Sequence, residues 1–208
     1  MTTHDVHTGT ARTGIGYRMV FPPGWREFGT SAEFEEILVK LVTSEAKKQG
    51  RADIVLMLRQ NIHAMFEDFR RRGTLGFALP VNRFQSGAWP ASLIVTPLKT
   101  GASGTLLDTV RRVAGDNDVD AGSVDGSEWY LWHSSSNSKD ARELKNRAIN
   151  MVVPRPLPDG ATDSNPKAGL WLMYSYLELE QTTPEEMAEG LQQLGYAILG
   201  SFKWVPVQ

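Results

Sequence analysis

Apolar side chains along this chain recur at two alternating periods, and the switches between them mark out its elements. "IGYRMVF" (15–21) reads as a strand that must end at Pro22, which has no N–H to give a ladder. Pro23-Gly24 is turn chemistry, and the indole of Trp25 just after it can fold back over the sheet end as a plug. Phe34, Ile37, Leu38, Leu41 and Val42 then follow helical spacing, with Thr30 and Glu33 as a capping box and Gly50 as a stop. Ile54, Val55, Leu58, Ile62, Met65, Phe66 and Phe69 continue at the same spacing up to Gly73. Two helices this close in sequence predict an αα-hairpin lying on a sheet.

Beyond Gly73 the period shortens. "TLGFALPV" and "ASLIVTPL" predict strands, joined by the loop "NRFQSGAWP". "GTLLDTVRRVAG" predicts a short helix with Leu106, Leu107, Val110 and Val113 turned inward. "SEWYLWHSS", "ARELKNRAINMVV" and "AGLWLMYSYLELE" predict three further strands, the last apolar on both faces and therefore central. A Pro/Gly/Asp/Asn-rich loop separates the last two. A closing helix follows, with Thr183, Pro184 and Glu186 as N-cap, N1 and N3 and with Met187, Leu191, Leu194 and Ile198 buried. Gly190 and Gly195 each weaken it by roughly 1 kcal/mol, so it depends on its docking site. Residues 1–14 lack periodicity and read as a disordered N-terminal tail, leaving 15–208 as a single α+β domain. The expected architecture is an antiparallel sheet of about six strands with an N-terminal helical hairpin and a C-terminal helix packed on it.

That outline resembles a known family. "FPPGW" after a first strand, the two-faced late strand "LWLMYSYLEL" and a closing helix followed by "SFKW" are similar to the PsbP/Mog-like α+β fold, shared by bacterial LpqN-type proteins. The resemblance implies a small binding or assembly protein and supplies no catalytic motif.

Composition narrows the chemistry. At 208 residues and 41% apolar the chain can bury a sizeable core, and a formal charge of −2 gives no global case for nucleic acid or an anionic membrane. The absence of cysteine removes disulfides, thiol nucleophiles and cysteine-ligated zinc. No segment approaches the roughly 20 apolar residues of a membrane span. The N-terminus has no apolar signal core, so the expected location is cytoplasmic.

The metal candidates are Asp116, Asp118 and Asp120, at positions 1, 3 and 5 of a calcium-loop pattern. The pattern then breaks, with Ala121 at the position reserved for glycine and Ser127 at that of the bidentate glutamate, so a solvated acidic turn is the simpler reading. His133 lies beside Ser134, Ser135 and Ser136, but no G-x-S-x-G is present. Alternation along a strand also turns His133 and Ser134 to opposite faces. "SEAK" and "SNSK" spell S-x-x-K without the companion motifs. Arg70, Arg71 and Arg72 sit on the last turn of the second helix, where they complement its dipole or meet an acidic partner.

Six tryptophans are the unusual feature. Trp129 and Trp132 lie on opposite faces of one strand, so one can join the core while the other serves as a binding anchor. The preferred expectation is a non-catalytic protein-binding or accessory module of assembly, secretion or immunity type, using Trp129, Trp132 and Arg70–Arg72, with an unidentified protein partner and no cofactor. The alternative is a small-molecule-binding protein or small hydrolase, with a pocket near Trp129, His133 and Trp171.

Overall fold

A computed structural model describes residues 15–81, 90–124, 127–137, 144–179 and 183–206. The expected tail, Trp89 and Lys139 of "SNSK" lie outside them. The elements in chain order are β1 (Ile15–Arg18), β2 (Trp25–Gly29), α1 (Ala32–Lys48), α2 (Ala52–Arg72), β3 (Gly76–Pro80), β4 (Ala91–Lys99), α3 (Leu106–Ala114), β5 (Asp120–Val124), β6 (Ser127–Asn137), β7 (Leu144–Pro154), β8 (Ala168–Leu179), α4 (Glu185–Gly200) and β9 (Lys203–Pro206).

The main sheet has seven strands in the order β2-β3-β4-β8-β7-β6-β5, with each neighbouring pair antiparallel. β8, the strand with two apolar faces, takes the middle position. The fold is mixed α+β, as the patterning implies, but the strand inventory differs. "IGYRMVF" contributes only four residues, Ile15 to Arg18, and these pair with β9 in a separate ribbon, Tyr17 opposite Trp204. The edge strand is instead β2, which begins at Trp25 and pairs with β3 from Trp25↔Pro80 to Gly29↔Gly76. β5 occupies sequence that reads as an acidic loop. It forms because a strand edge offers it a ladder with β6, Asp120 opposite Leu131, and local propensity yields to that pairing.

Alternation along the strands divides the core. Phe28, Phe77 and Ile94 on one face meet Leu38, Ile62, Phe66 and Phe69 of the α1–α2 hairpin. Farther along the same face, Tyr130, Trp132 and Val152 meet Leu106, Val110 and Ala114 of α3. The opposite face carries Leu93, Val95, Ile149, Met151, Leu172 and Tyr174, covered by Leu191, Ile198 and Leu199 of α4. Helices therefore lie on both sides of the sheet.

Two helix starts differ from expectation. Ser31 caps α1 with no side-chain bond, and the Thr30 hydroxyl instead donates to the Thr74 carbonyl, 3.3 Å away, tying the helix entry to the approach to β3. Pro184 is the N-cap of α4 rather than N1. A reciprocal capping box occurs at α3, where the Thr105 hydroxyl accepts from the Asp108 N–H and the Asp108 carboxylate accepts from the Thr105 N–H.

Glu27 is an anomaly on the β2 edge. It shares the α4-side face with Trp25, it is half-buried, and no described residue gives its carboxyl a hydrogen bond or ion pair. Burial pushes its carboxyl up to about 7. Burial, and then the nearby Glu27 charge, also raise the Tyr17 phenol far above its ordinary value. A native carboxyl pKa above the unfolded one means that protonation favours folding. The stabilisation is full below about pH 4.5 and is lost as pH rises through about 7. Going from pH 8 to 5.5 at fixed ionic strength should therefore raise the denaturant midpoint of the parent more than that of Glu27→Gln. Parallel pH responses in urea melts would refute this assignment.

Candidate functional site

The best-formed site near a sequence candidate lies under the first turns of α4. Glu185, Ala188, Glu189 and Gln192 fall at i, i+3, i+4 and i+7 and present one helix face to β6, β7 and β8. Between them is an open cleft of about 360 Å³, floored by His133, Arg147, Ile149 and Tyr176 and flanked by Glu178 and Asn117. The strands supply this floor because His133 sits opposite Ile149 and Arg147 sits opposite Tyr176.

The polar groups here are engaged with one another. His133 Nε2 and the Tyr196 hydroxyl of α4 are 2.6 Å apart, with the two rings edge-on. Arg147 Nε donates to Glu178 Oε2 at 3.0 Å. The Glu178 side chain is only 16% exposed, so solvent screens this pair less than a surface one. Burial, and then the nearby Glu178 charge, raise the Tyr176 phenol. Glu185 and Glu189 are exposed and have no ion-pair partner among the described residues.

The other pocket candidates do not join His133. Trp171 pairs with Val152 and therefore lies on the α3 side of the sheet, two strands from His133 and facing away from it. Its indole N–H donates to Asn150 Oδ1 at 3.1 Å, and Asn150 Nδ2 donates to Ser134 Oγ at 3.1 Å. Asn150, at the centre of this network, is buried at 1% exposed, and Trp171 and Ser134 are partly buried. Ser134 is thus held on the face opposite its neighbour His133. Trp129 does share the His133 face, but its ring packs over Gly122 of β5, where an added Cβ would collide with it. Of the proposed anchors, Trp132 is 2% exposed, with its ring 5.9 Å from that of Trp171. It belongs to the core because α3 covers the face that the sequence left open.

The arginine run is also spent within the chain. Arg70 donates to Glu35 Oε2 at 3.0 Å and to the Thr30 carbonyl at 3.4 Å, while Arg71 and Arg72 both bond Asp68. His63 Nδ1 lies 2.8 Å from Glu35 Oε1. Burial draws the Glu35 carboxyl up, but the bonds from His63 and Arg70 outweigh it and hold it below the usual range. The two Glu35 contacts fasten α1 to α2, while the Asp68 pairs lie within α2. Asp116, Asp118 and Asp120 are all exposed. Among the described residues no three His, Asp or Glu side chains are grouped to hold a metal ion. The Ser44 hydroxyl of "SEAK" donates to the Leu41 carbonyl within α1.

A second, larger cleft of about 720 Å³ opens on the α3 side at the strand ends, with Ser92, Ser175, Asn146 and Leu177 among its lining. The Ser92 and Ser175 hydroxyls are 2.9 Å apart across β4 and β8. Sequence reasoning missed Tyr196, Arg147 and Glu178. For Glu178 the available signal was a single charge in the otherwise largely apolar β8, whereas Arg147 stands among the polar Lys145, Asn146 and Asn150 of β7.

No protein-family model matches the chain, and no curated protein matches it. Among solved structures, the solution structure of cyanobacterial PsbP (CyanoP) from Synechocystis sp. PCC 6803 is similar over 96% of this chain and 97% of its own, at 13% identity and a TM-score of 0.45. The resemblance to PsbP is one of outline. A crystal structure from Bacteroides thetaiotaomicron VPI-5482 is similar over 90% of this chain and 44% of its own, at 9% identity and a TM-score of 0.38. Among the described residues no helix is long and apolar enough to cross a membrane.

Proposed function

We propose that this chain is a non-catalytic binding module, an accessory protein that acts by associating with another protein, and that it works in the cytoplasm. One observation carries the reading. The His133 ring nitrogen is engaged by the Tyr196 hydroxyl, while the adjacent Ser134 hydroxyl is locked to Asn150 on the opposite face of the sheet. A hydrolytic site needs a base within reach of its nucleophile, and these two residues are separated by the sheet itself.

Chemical cross-linking of the tagged chain in its native cells, followed by quantitative affinity purification, tests the reading. One partner should recur near stoichiometry, and the purified chain should turn over ester, phosphate and glycoside substrates no faster than buffer. Turnover that His133→Ala abolishes would overturn it.

The cleft under α4 favours a second reading, a carrier of small polar molecules, since Glu185 and Glu189 face it with free carboxylates. A thermal shift with small amines that vanishes in Glu189→Lys would select this reading over the first.

A further inference from the structure

We infer that the distal half of the α1–α2 hairpin is the docking surface of this module, and that its occupant is a protein presenting an apolar helix face edged by carboxylates. The inference rests on the binding-module reading and names the surface and partner chemistry.

The hairpin is divided along its length. Residues 34–39 of α1 and 62–69 of α2 pack into the phenylalanine-rich core. Toward the connection, only Thr43 and Ala46 are buried. Yet this distal half carries Leu41, Val42 and the unbroken run Ile54-Val55-Leu56-Met57-Leu58, none of which belongs to a core cluster. Leu56 is 59% exposed, Met57 51%, Val42 40% and Leu41 37%. A helix that is apolar all round is normally enclosed. Contiguous exposed aliphatics on a soluble chain mark an interaction surface.

Charge selects the occupant. Residues 40–60 hold Lys40, Lys47, Lys48, Arg51 and Arg59 against Glu45 and Asp53, a net +3 within a chain of −2. Arg51, Lys48 and Lys40 have acidic neighbours within 4 Å, whereas Lys47 and Arg59 have none among the described residues. Two copies facing through this surface would bring like charges together, which opposes self-pairing. The tip of the hairpin carries Lys47 and Lys48 on the last turn of α1 and Arg51 in the connection, so entering a bilayer tip-first would carry charges into hydrocarbon. An acidic-edged amphipathic helix of a partner protein satisfies both the aliphatic flanks and the cationic end.

The test uses the full chain and a fluorescent synthetic helix with leucines at a/d spacing and glutamates elsewhere, beside its lysine counterpart. Anisotropy should show the glutamate helix binding at least tenfold tighter than the lysine helix. Leu56→Ser with Met57→Ser should weaken it at least tenfold while leaving the thermal midpoint unchanged, since both side chains are exposed. Lys47→Glu with Arg59→Glu should reverse the preference. Equal binding by parent and serine variant would overturn the hairpin inference and leave the binding-module reading standing. So would sedimentation as a dimer that the serine pair dissolves, or association with phosphatidylglycerol vesicles in place of the peptide. Turnover lost in His133→Ala would instead end the module reading without touching the hairpin.

Discussion

Trp25→Ala is expected to lower the stability of the domain by about 3 kcal/mol, with a matching fall in the urea midpoint. The indole stacks on Phe21 at 5.7 Å and on Tyr174 at 6.4 Å, joining the turn after β1 to the central strand. Tyr174 is fully buried, and its hydroxyl donates to the Leu191 carbonyl of α4 at 2.9 Å. Loss of the indole therefore removes support from the residue that seats α4. Truncation of a large core aromatic costs about 3–5 kcal/mol, and the partial exposure of Trp25 argues for the lower end. Trp25→Phe separates packing from polarity. The Trp25 Nε1 proton is buried with no acceptor among the described residues, and such a donor costs about 1–3 kcal/mol. Phenylalanine keeps a stacked ring and removes that penalty, so it should hold the midpoint near that of the parent. An unchanged midpoint in Trp25→Ala would instead make Trp25 a surface anchor.

The second large effect separates two glycines of one helix. Gly195→Ala is expected to destabilise by about 2 kcal/mol, and Gly190→Ala to stabilise by up to about 1 kcal/mol. Alanine is the better helix former at both positions, so propensity alone predicts gains at each. At Gly195, however, a Cβ would fall 2.5 Å from Tyr174 Cδ1 and 2.9 Å from Ile149 Cδ1. The Tyr174 ring cannot yield, because it is pinned by its hydroxyl and by Trp25. Gly190 is exposed with nothing within 4 Å of the added methyl. Thermal melts of the two variants beside the parent decide it, and equal shifts would show that the Gly195 contact is not rigid.

These residues also show what the sequence reveals and what it hides. Helical periodicity located α1, α2, α3 and α4, because each buries one stripe against the sheet. Two-sided apolarity identified β8 as central for the same reason. β9 escaped notice because its ladder partner, β1, is distant in sequence, and β5 because its Asp-Ala-Gly-Ser run shows no apolar alternation although its partner β6 follows directly. The candidate site fared worse. Whether Trp132 is an anchor or a core residue depends on which helix covers its face. Alternation establishes that Trp129 and Trp132 face apart, but it does not show that α3 lies over one of them. The engagement of Arg70 with Glu35, and of Arg147 with Glu178, likewise depends on tertiary neighbours that no local window contains.

The ribbon of β1 and β9 joins Ile15 to Pro206, a pairing that spans nearly the whole described chain. Its consequence concerns the order of assembly. The α1–α2 hairpin and β4 precede α4 by many residues in the chain, and the sheet face bearing Leu93, Leu172 and Tyr174 has no cover until α4 docks on it. Closing so long a loop is slow by entropy alone. Until β1 and β9 have met and α4 has docked, that broad apolar face is open, and aggregation or chaperone capture competes with folding.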